Sequence, residues 1–232
     1  MDQFRINRQT LSKLFFEVLF QRSEDFLHAG WIDLREDLRR LDTLRGQADY
    51  NTGSINSSAA FVLHAVCDYL QPTTIAEVGT FIGKSTLAMA RAIESQPNAV
   101  IHTCDFSNSI ELSLPTKAKV VQYKRQSSTQ MFEALGKSKI RVDVLALDGR
   151  LHAKDLILLA NILHEKTVIL LDDFEGVEKG VANGTLLLSS SLFKNYLLIY
   201  PPSFESLRQL GFFSGCTTAM MIPASLFAYS SQ

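Results

Sequence analysis

The stretch Thr74-Ile75-Ala76-Glu77-Val78-Gly79-Thr80-Phe81-Ile82-Gly83-Lys84-Ser85-Thr86 decides the fold. It begins as a short apolar run, predicting a strand, and breaks at Gly79 and Gly83. It resumes over Lys84 to Glu94 with Leu87, Met89, Ala90 and Ile93 as the apolar residues of a helix. Glycine at such a turn lets the backbone approach a ligand and adopt angles that other residues avoid. The helix start that follows offers free N–H groups to an anionic group. The spacing narrows the choice. A dinucleotide fingerprint needs glycine where Phe81 stands, and a phosphate-binding loop needs one where Val78 stands. A tight turn without a ligand is the plain structural alternative.

Working outward, strands and helices alternate. Val100 to Cys104, Lys119 to Tyr123, Val142 to Leu147, Thr167 to Leu171, Tyr196 to Tyr200 and Thr217 to Ile222 read as strands. Thr129 to Gly136, Ala153 to Leu163 and Val177 to Leu188 read as helices, with His164-Glu165-Lys166 as a charged turn. Several strands are apolar on both faces, as in a parallel sheet covered on each side. The expectation is an α/β, doubly wound, mostly parallel Rossmann-like sheet, with ligands at the carboxyl ends of its strands. Before residue 72 the period is helical. Leu11, Leu14, Phe15, Val18 and Leu19 mark one face, and further helices are expected over Ile32–Leu44 and Ile55–Tyr69. The division is therefore 1–71, an N-terminal helical extension or lid, and 72–232, the α/β domain.

Composition excludes several classes. The 232 residues are 46% hydrophobic and 20% charged, which fits a globular chain and not a disordered one. A formal net charge of −1 supplies no field for a general nucleic-acid binder. Cys67, Cys104 and Cys216 are too scattered for a disulfide scaffold or zinc cluster, and Cys67 and Cys104, in apolar runs, suit buried thiols in a cytoplasmic protein. No window reaches the ~18 uncharged apolar residues of a membrane span, so no membrane partner is expected. His28, His64, His102 and His164 show no ligand spacing. The apolar face around Phe15, Phe16 and Phe20 packs on the main domain or forms a homodimer.

The strand ends carry the chemistry. Asp105 closes the second strand, where an acid accepts hydrogen bonds from ribose hydroxyls. Glu77-x-Gly79-x-x-x-Gly83 followed by Asp105 resembles the class I S-adenosylmethionine-dependent methyltransferases over about residues 54 to 225. The resemblance implies a seven-stranded sheet, S-adenosylmethionine as cofactor, a glycine turn that wraps its methionine part, and Asp105 on its ribose. Asn51-Thr52-Gly53-Ser54-Ile55 resembles the segment that caps the methionine carboxylate in catechol-type O-methyltransferases. A plain helix cap at Asn56, Ser57 or Ser58 is the other use of this region. Ser127 and Ser128 match the place where such enzymes touch adenine, although Gln126 and Ser127 stand where the family often has glycine and an acid.

Asp148 ends the fourth strand and Asp172-Asp173 the fifth, so their carboxylates converge on one region if the strands are neighbours. A hard divalent cation would relieve their repulsion. Asp172-Asp173-Phe174-Glu175-Gly176, followed by Glu178-Lys179-Gly180, resembles the acidic segment of the macrocin and cephalosporin-tailoring O-methyltransferases. In that group three such aspartates hold Mg²⁺ beside the acceptor hydroxyl, which makes Asp148, Asp172 and Asp173 the expected metal ligands here. Asp148 is also expected on the cofactor and in catalysis. Capping turns or helix starts is the bland use of all three. Arg150 stands where related enzymes carry a second acid. His152 could then take the acceptor's proton or be a surface histidine on the first turn of a helix, and Arg150 could bind an acidic acceptor or pair with Asp173. Phe212-Phe213 either flank the acceptor pocket or are buried. The favoured reading is a methyltransferase acting on a hydroxyl of a small molecule. Its rivals are a nicotinamide oxidoreductase and a non-catalytic binding protein of the same fold.

Overall fold

The computed structural model describes residues 8–50 and 53–226, so Asn51 and Thr52 lie outside the described residues. Helices α1 (Arg8–Arg22), α2 (Glu24–Ala29), α3 (Trp31–Leu41) and α4 (Ser57–Leu70) come first. Then follow β1 (Thr74–Val78), α5 (Lys84–Ile93), β2 (Val100–Asp105), β3 (Lys119–Lys124), α6 (Ser128–Lys137), β4 (Val142–Leu147) and α7 (Asp155–Ile162). The chain continues through β5 (Leu163–Leu171), α8 (Lys179–Leu188), β6 (Tyr196–Ile199), α9 (Phe204–Gln209) and β7 (Ala219–Pro223).

The seven strands form one sheet in the order β3-β2-β1-β4-β5-β7-β6. Strands β1 to β5 run parallel, and β7 runs antiparallel to both β5 and β6. The order reverses between β1 and β4, so a crevice opens outside the ends of β1, β2 and β4, where ligands bind in such sheets.

Alternation along each strand explains the layering. Ile75, Val144, Ala146, Val168, Leu170, Met220 and Ile222 join one hydrophobic cluster with α1, α3, α4 and α5. Ala76, Val78, Leu145, Leu147, Ile169, Leu171 and Met221 join the other with α6, α7 and α8. Central strands buried on both faces need such continuous apolar runs. The N-terminal helices share the first cluster with the sheet. Phe16 and Phe20 lie within it, and Phe20, Trp31, Phe61 and Phe212 pack ring against ring, partly edge-on, with centroids 5.1–5.9 Å apart. Phe212 is thus a core residue, while its neighbour Phe213 is 94% exposed.

The sequence reading differs from the structure in several elements, among them the short α2, which it does not contain. The charged turn expected at His164-Glu165-Lys166 is part of β5, which starts at Leu163. A register shift between Val142 and Val144 absorbs these residues, and His164 Nε2 lies 2.9 Å from Asp143 Oδ1. Period alone does not reveal such a bulge. The expected helix over Ile32–Leu44 ends at Leu41 and passes into a 3₁₀ turn, Asp42–Gln47. The short α9 after Pro201-Pro202 carries too little periodic signal to be read.

Candidate cofactor and acceptor site

Glu77 is 1% exposed and organises the glycine turn from below. Its Oε2 accepts from Thr86 Oγ1 at 2.5 Å and Thr103 Oγ1 at 2.6 Å, and the Thr103 hydroxyl is itself hydrogen-bonded to that of Thr80. Burial pushes the Glu77 carboxyl up, while the hydroxyls of Ser85, Thr103 and Thr86 pull it back. This network ties β1, β2, the turn and the first residues of α5 together, so the place of Glu77 is beneath the cavity wall.

Gly79 has φ +104°, and a Cβ there would stand 2.9 Å from the backbone of Asp148 and Gly149. The amides of Asp148 and Gly149 both donate to Val78 O, at 2.9 and 2.8 Å. Only glycine allows β1 and β4 to close up at the crevice floor. Gly83, at φ +81°, caps α5, and its N–H donates to Thr80 O at 2.8 Å.

Above this floor lies a cavity of about 480 Å³. Gly79, Asp105, Phe106, Ser127, Asp148 and His152 are among its walls. That volume falls in the range of pockets that hold a small ligand or cofactor. A narrower recess continues past Gly53, Ser54, Ile55, Thr80 and Lys84, and Asp148 lines both spaces. Gly79, Asp105, Ser54, Ile55 and Asp148 therefore stand along one crevice, whereas Glu77 and Gly83, expected on the cofactor with them, line neither space.

Asp105 is 7% exposed and closely held. Oδ2 accepts from Phe81 N and from the hydroxyl of Tyr50, both at 2.9 Å, and Oδ1 accepts from Ser107 N at 2.9 Å. Tyr50 thus places a phenol hydroxyl on the carboxylate that closes β2. Burial and the Asp105 charge push its phenol up, so it stays a donor. Tyr50 belongs to a strap over the strand ends. Lys84 Nζ pairs with Asp42 at 2.7 Å, Arg45 donates to Ser54 Oγ at 2.6 Å, and Asp49 accepts from Ser109 and Arg125. Asn56 caps α4 by accepting from Ala59 N at 2.9 Å, so the bland use weighed for this region is present.

Ser127 and Ser128 line the cavity at the start of α6 but have structural partners. Ser127 forms a reciprocal cap with Gln130. Ser128 and Thr129 donate to the fully buried Asp155, at 2.8 and 2.6 Å, and His152 N donates to it at 2.9 Å. Asp155 fixes the loop that carries His152, whose side chain is exposed at the cavity.

The acidic cluster is arranged differently from the expectation. Asp173 adopts φ +51°, the bend that brings it toward Asp148. Between them stands Lys179 Nζ, paired with Asp148 Oδ1 and 3.2 Å from Asp173 Oδ2. Asp172 Oδ1 instead accepts from Thr218 Oγ1 at 2.8 Å. Burial first, and then the Asp172 charge, push the Asp148 carboxyl up to about 7. Burial lowers Lys179, but Asp148 and Asp173 outweigh it and hold the ammonium above its ordinary value. Among the described residues no group of three or more His, Cys, Asp or Glu is arranged to hold a metal ion. The expected Mg²⁺ ligands Asp148, Asp172 and Asp173 therefore do not fit that ion as they stand. An ammonium takes the space between two of them and Thr218 takes the third. The pairing expected between Arg150 and Asp173 is likewise replaced by Lys179, and Arg150 is exposed at the cavity.

Tyr50 and Lys179 were not picked out as site residues from the sequence. Tyr50 meets Asp105, and Lys179 meets Asp148, across long gaps in the chain that no local pattern marks; the other partner of Lys179, Asp173, lies in the same stretch. Asn183 is similar. Buried in α8, it donates to Gly149 O at 2.8 Å and accepts from Leu151 N at 3.0 Å.

Residues 76–174 match a family model described as a methyltransferase domain. No curated protein matches the chain. Solved structures resemble it in fold. An O-methyltransferase from Bacillus cereus in complex with S-adenosylhomocysteine has 13% identity and a TM-score of 0.57, over 80% of this chain and 89% of that one. The O-methyltransferase TomG from Streptomyces achromogenes, involved in tomaymycin synthesis and solved with S-adenosylmethionine, has 16% identity and a TM-score of 0.56, over 81% and 89%. A methyltransferase from Geobacter sulfurreducens has 12% identity and a TM-score of 0.54, over 81% and 88%. The architecture is that of the class I methyltransferases, as the sequence resemblance implied.

Proposed function

We propose that this chain is an S-adenosylmethionine-dependent methyltransferase that acts on a hydroxyl oxygen of a small molecule. One observation carries the reading. A cavity of about 480 Å³ lies at the switch point of the sheet, with Gly79 at its floor and the buried Asp105 in its wall. Those features suit a nucleoside with an attached amino-acid tail. Asp105 would accept from the ribose, and the recess past Ser54 and Ile55, about 10 Å³ as it stands, would have to open to take the methionine end. Phe81 stands where a pyrophosphate needs glycine, which counts against a nicotinamide cofactor.

When bound, S-adenosylmethionine supplies an electrophilic methyl group on sulfur. The acceptor oxygen gains that methyl and loses its proton, leaving S-adenosylhomocysteine, the methyl ether and a proton. His152 would take the proton, since it is exposed at the cavity and an imidazole is the side chain suited to proton transfer. Asp155 holds the His152 backbone in place. The O-methyltransferases of similar fold support oxygen as the acceptor atom.

Calorimetry with S-adenosylhomocysteine tests the reading. Saturable binding is expected for the wild type, with a loss on the order of 10–100-fold in Asp105→Ala, the worth of charge-assisted hydrogen bonds. Saturable NAD binding with no response to S-adenosylhomocysteine would replace it with an oxidoreductase.

A further inference from the structure

We propose that Lys179 is a built-in cation that takes the place of a divalent metal between Asp148 and Asp173, so that the acceptor side of the site works without one. The inference rests on the methyltransferase reading for the word acceptor, but its geometry stands alone.

The position of Lys179 is built by three contacts. It is the first residue of α8, after the cap residue Glu178. A helix start carries partial positive charge, so an ammonium there is at the unfavourable end and needs anions to hold it. Asp148 and Asp173 supply them. The next residue, Gly180, lies so close to the turn after β5 that a Cβ would stand 2.1 Å from Asp172 O. Only glycine lets α8 begin there. One turn on, Asn183 bonds both Gly149 O and Leu151 N, which locks α8 to the loop that follows Asp148. The helix, the turn and the loop thus hold the ammonium in one place.

The electrostatic consequence is direct. Three carboxylates this close repel one another, and Asp172 and Asp173 both raise Asp148. A divalent ion would relieve that repulsion and present a positive charge to an acceptor oxygen. Lys179 supplies one charge of the two and leaves the cluster as a whole net negative. An ammonium has three N–H donors, and Asp148 and Asp173 take two. The side chain keeps 29% of its surface exposed. The remaining donor can meet an acceptor oxygen and stabilise negative charge on it as its proton leaves. Such a site favours acceptors whose hydroxyl is already acidic, such as phenols and enols, over plain alcohols. One fixed ammonium stabilises an alkoxide less than a bound metal does.

Mn²⁺ binding followed by electron paramagnetic resonance tests this without knowledge of the acceptor. The wild type is expected to leave Mn²⁺ free. Lys179→Met removes the tethered cation, and Lys179→Gln is the milder variant that still donates to the carboxylates should the first fail to fold. At least one of them is expected to bind a single Mn²⁺ at least about tenfold tighter than the wild type, and adding Asp173→Asn should abolish that gain. A wild type that binds one Mn²⁺ as tightly as the variants would overturn the proposal, because Lys179 would then be a side chain that moves aside for a metal. Folded variants that bind none would also overturn it, because Lys179 would then be an ordinary ion pair. S-adenosylhomocysteine calorimetry on the same samples keeps the two readings separate. Its failure would remove the methyltransferase and leave the Mn²⁺ result readable.

Discussion

The two halves of the crevice are built by different means. At the ends of β1 and β2, the backbone and buried hydroxyls do the shaping. Gly79 closes against β4, Phe81 donates its amide to Asp105, and Thr86 and Thr103 converge on Glu77 with Thr80 bonded to Thr103 behind them. At the ends of β4 and β5, side chains from separate segments meet. Asp148, Asp173 and Lys179 come from a strand end, a bend and a helix start. The first kind of site leaves its mark in local sequence, because glycines and an acid must fall at fixed offsets. The second leaves almost none, because any residue of α8 that reaches the cluster would serve.

The largest effects should come where glycine permits a close approach, and both halves contain such a place. Gly79→Ala adds a Cβ 2.9 Å from the Asp148 and Gly149 backbone at φ +104°. Gly180→Ala adds one 2.1 Å from Asp172 O. Each should cost about 2–4 kcal/mol in urea denaturation, Gly79→Ala from backbone strain and overpacking and Gly180→Ala from overpacking alone. A cost below about 0.5 kcal/mol, the size of an ordinary surface change, would mean that half of the crevice is not held rigid.

Next comes the division of labour. Asp105→Ala should weaken S-adenosylhomocysteine by about 10–100-fold. Lys179→Met, read by the same calorimetry, should lose far less, because Lys179 touches no residue of the ribose end. Equal losses in the two variants would break the separation into a cofactor half and an acceptor half.

What was legible follows the same line. The strand order could be expected because the strands announce themselves as apolar runs and the glycine turn marks the switch point. Gly79, Asp105 and Asp148 stand out in the sequence because each lies directly at a strand end. His164 to Lys166 were misread as a turn because a bulge hides three polar residues inside β5. Asp172 and Asp173 were read as partners in one metal site. Their adjacency in the chain did not reveal that the bend at Asp173 sends one to Lys179 and the other to Thr218.

A pH titration sharpens the contrast within the acid half. Asp148 is pushed up to about 7 in the fold, against an ordinary value of 3.8. Between those values the folded chain keeps a proton that the unfolded chain has released. The Asp148 contribution to stability therefore falls as pH rises through that window, and levels off above it. Comparing the wild type with Asp148→Asn by denaturation at pH 5 and pH 8 isolates the effect. The wild type should lose on the order of 1–2 kcal/mol relative to the variant, discounted because a quarter of the Asp148 side chain is open to solvent. A difference that does not change with pH would mean that Lys179 keeps Asp148 ionised throughout.

The smallest effect concerns Tyr50, which joins the strap to the cofactor half. Its hydroxyl donates to Asp105 Oδ2 at 2.9 Å, alongside Phe81 N. A ribose that approaches Asp105 must share that oxygen or displace the phenol, and displacement costs the hydrogen bond that Tyr50 already makes. Tyr50→Phe keeps the ring, which packs 5.3 Å from Phe81, and removes only the hydroxyl. The variant frees one lone pair of Asp105 for the ligand and leaves the strap's other ties, Lys84 to Asp42 and Arg45 to Ser54, in place. S-adenosylhomocysteine should therefore bind about two- to tenfold more tightly, the worth of one hydrogen bond no longer broken on binding. Faster association should accompany the gain if the strap lifts to admit the ligand. Weaker binding in Tyr50→Phe would assign the phenol the opposite role, a donor that stays on Asp105 and helps it grip the ribose. The strap would then belong to the binding surface itself.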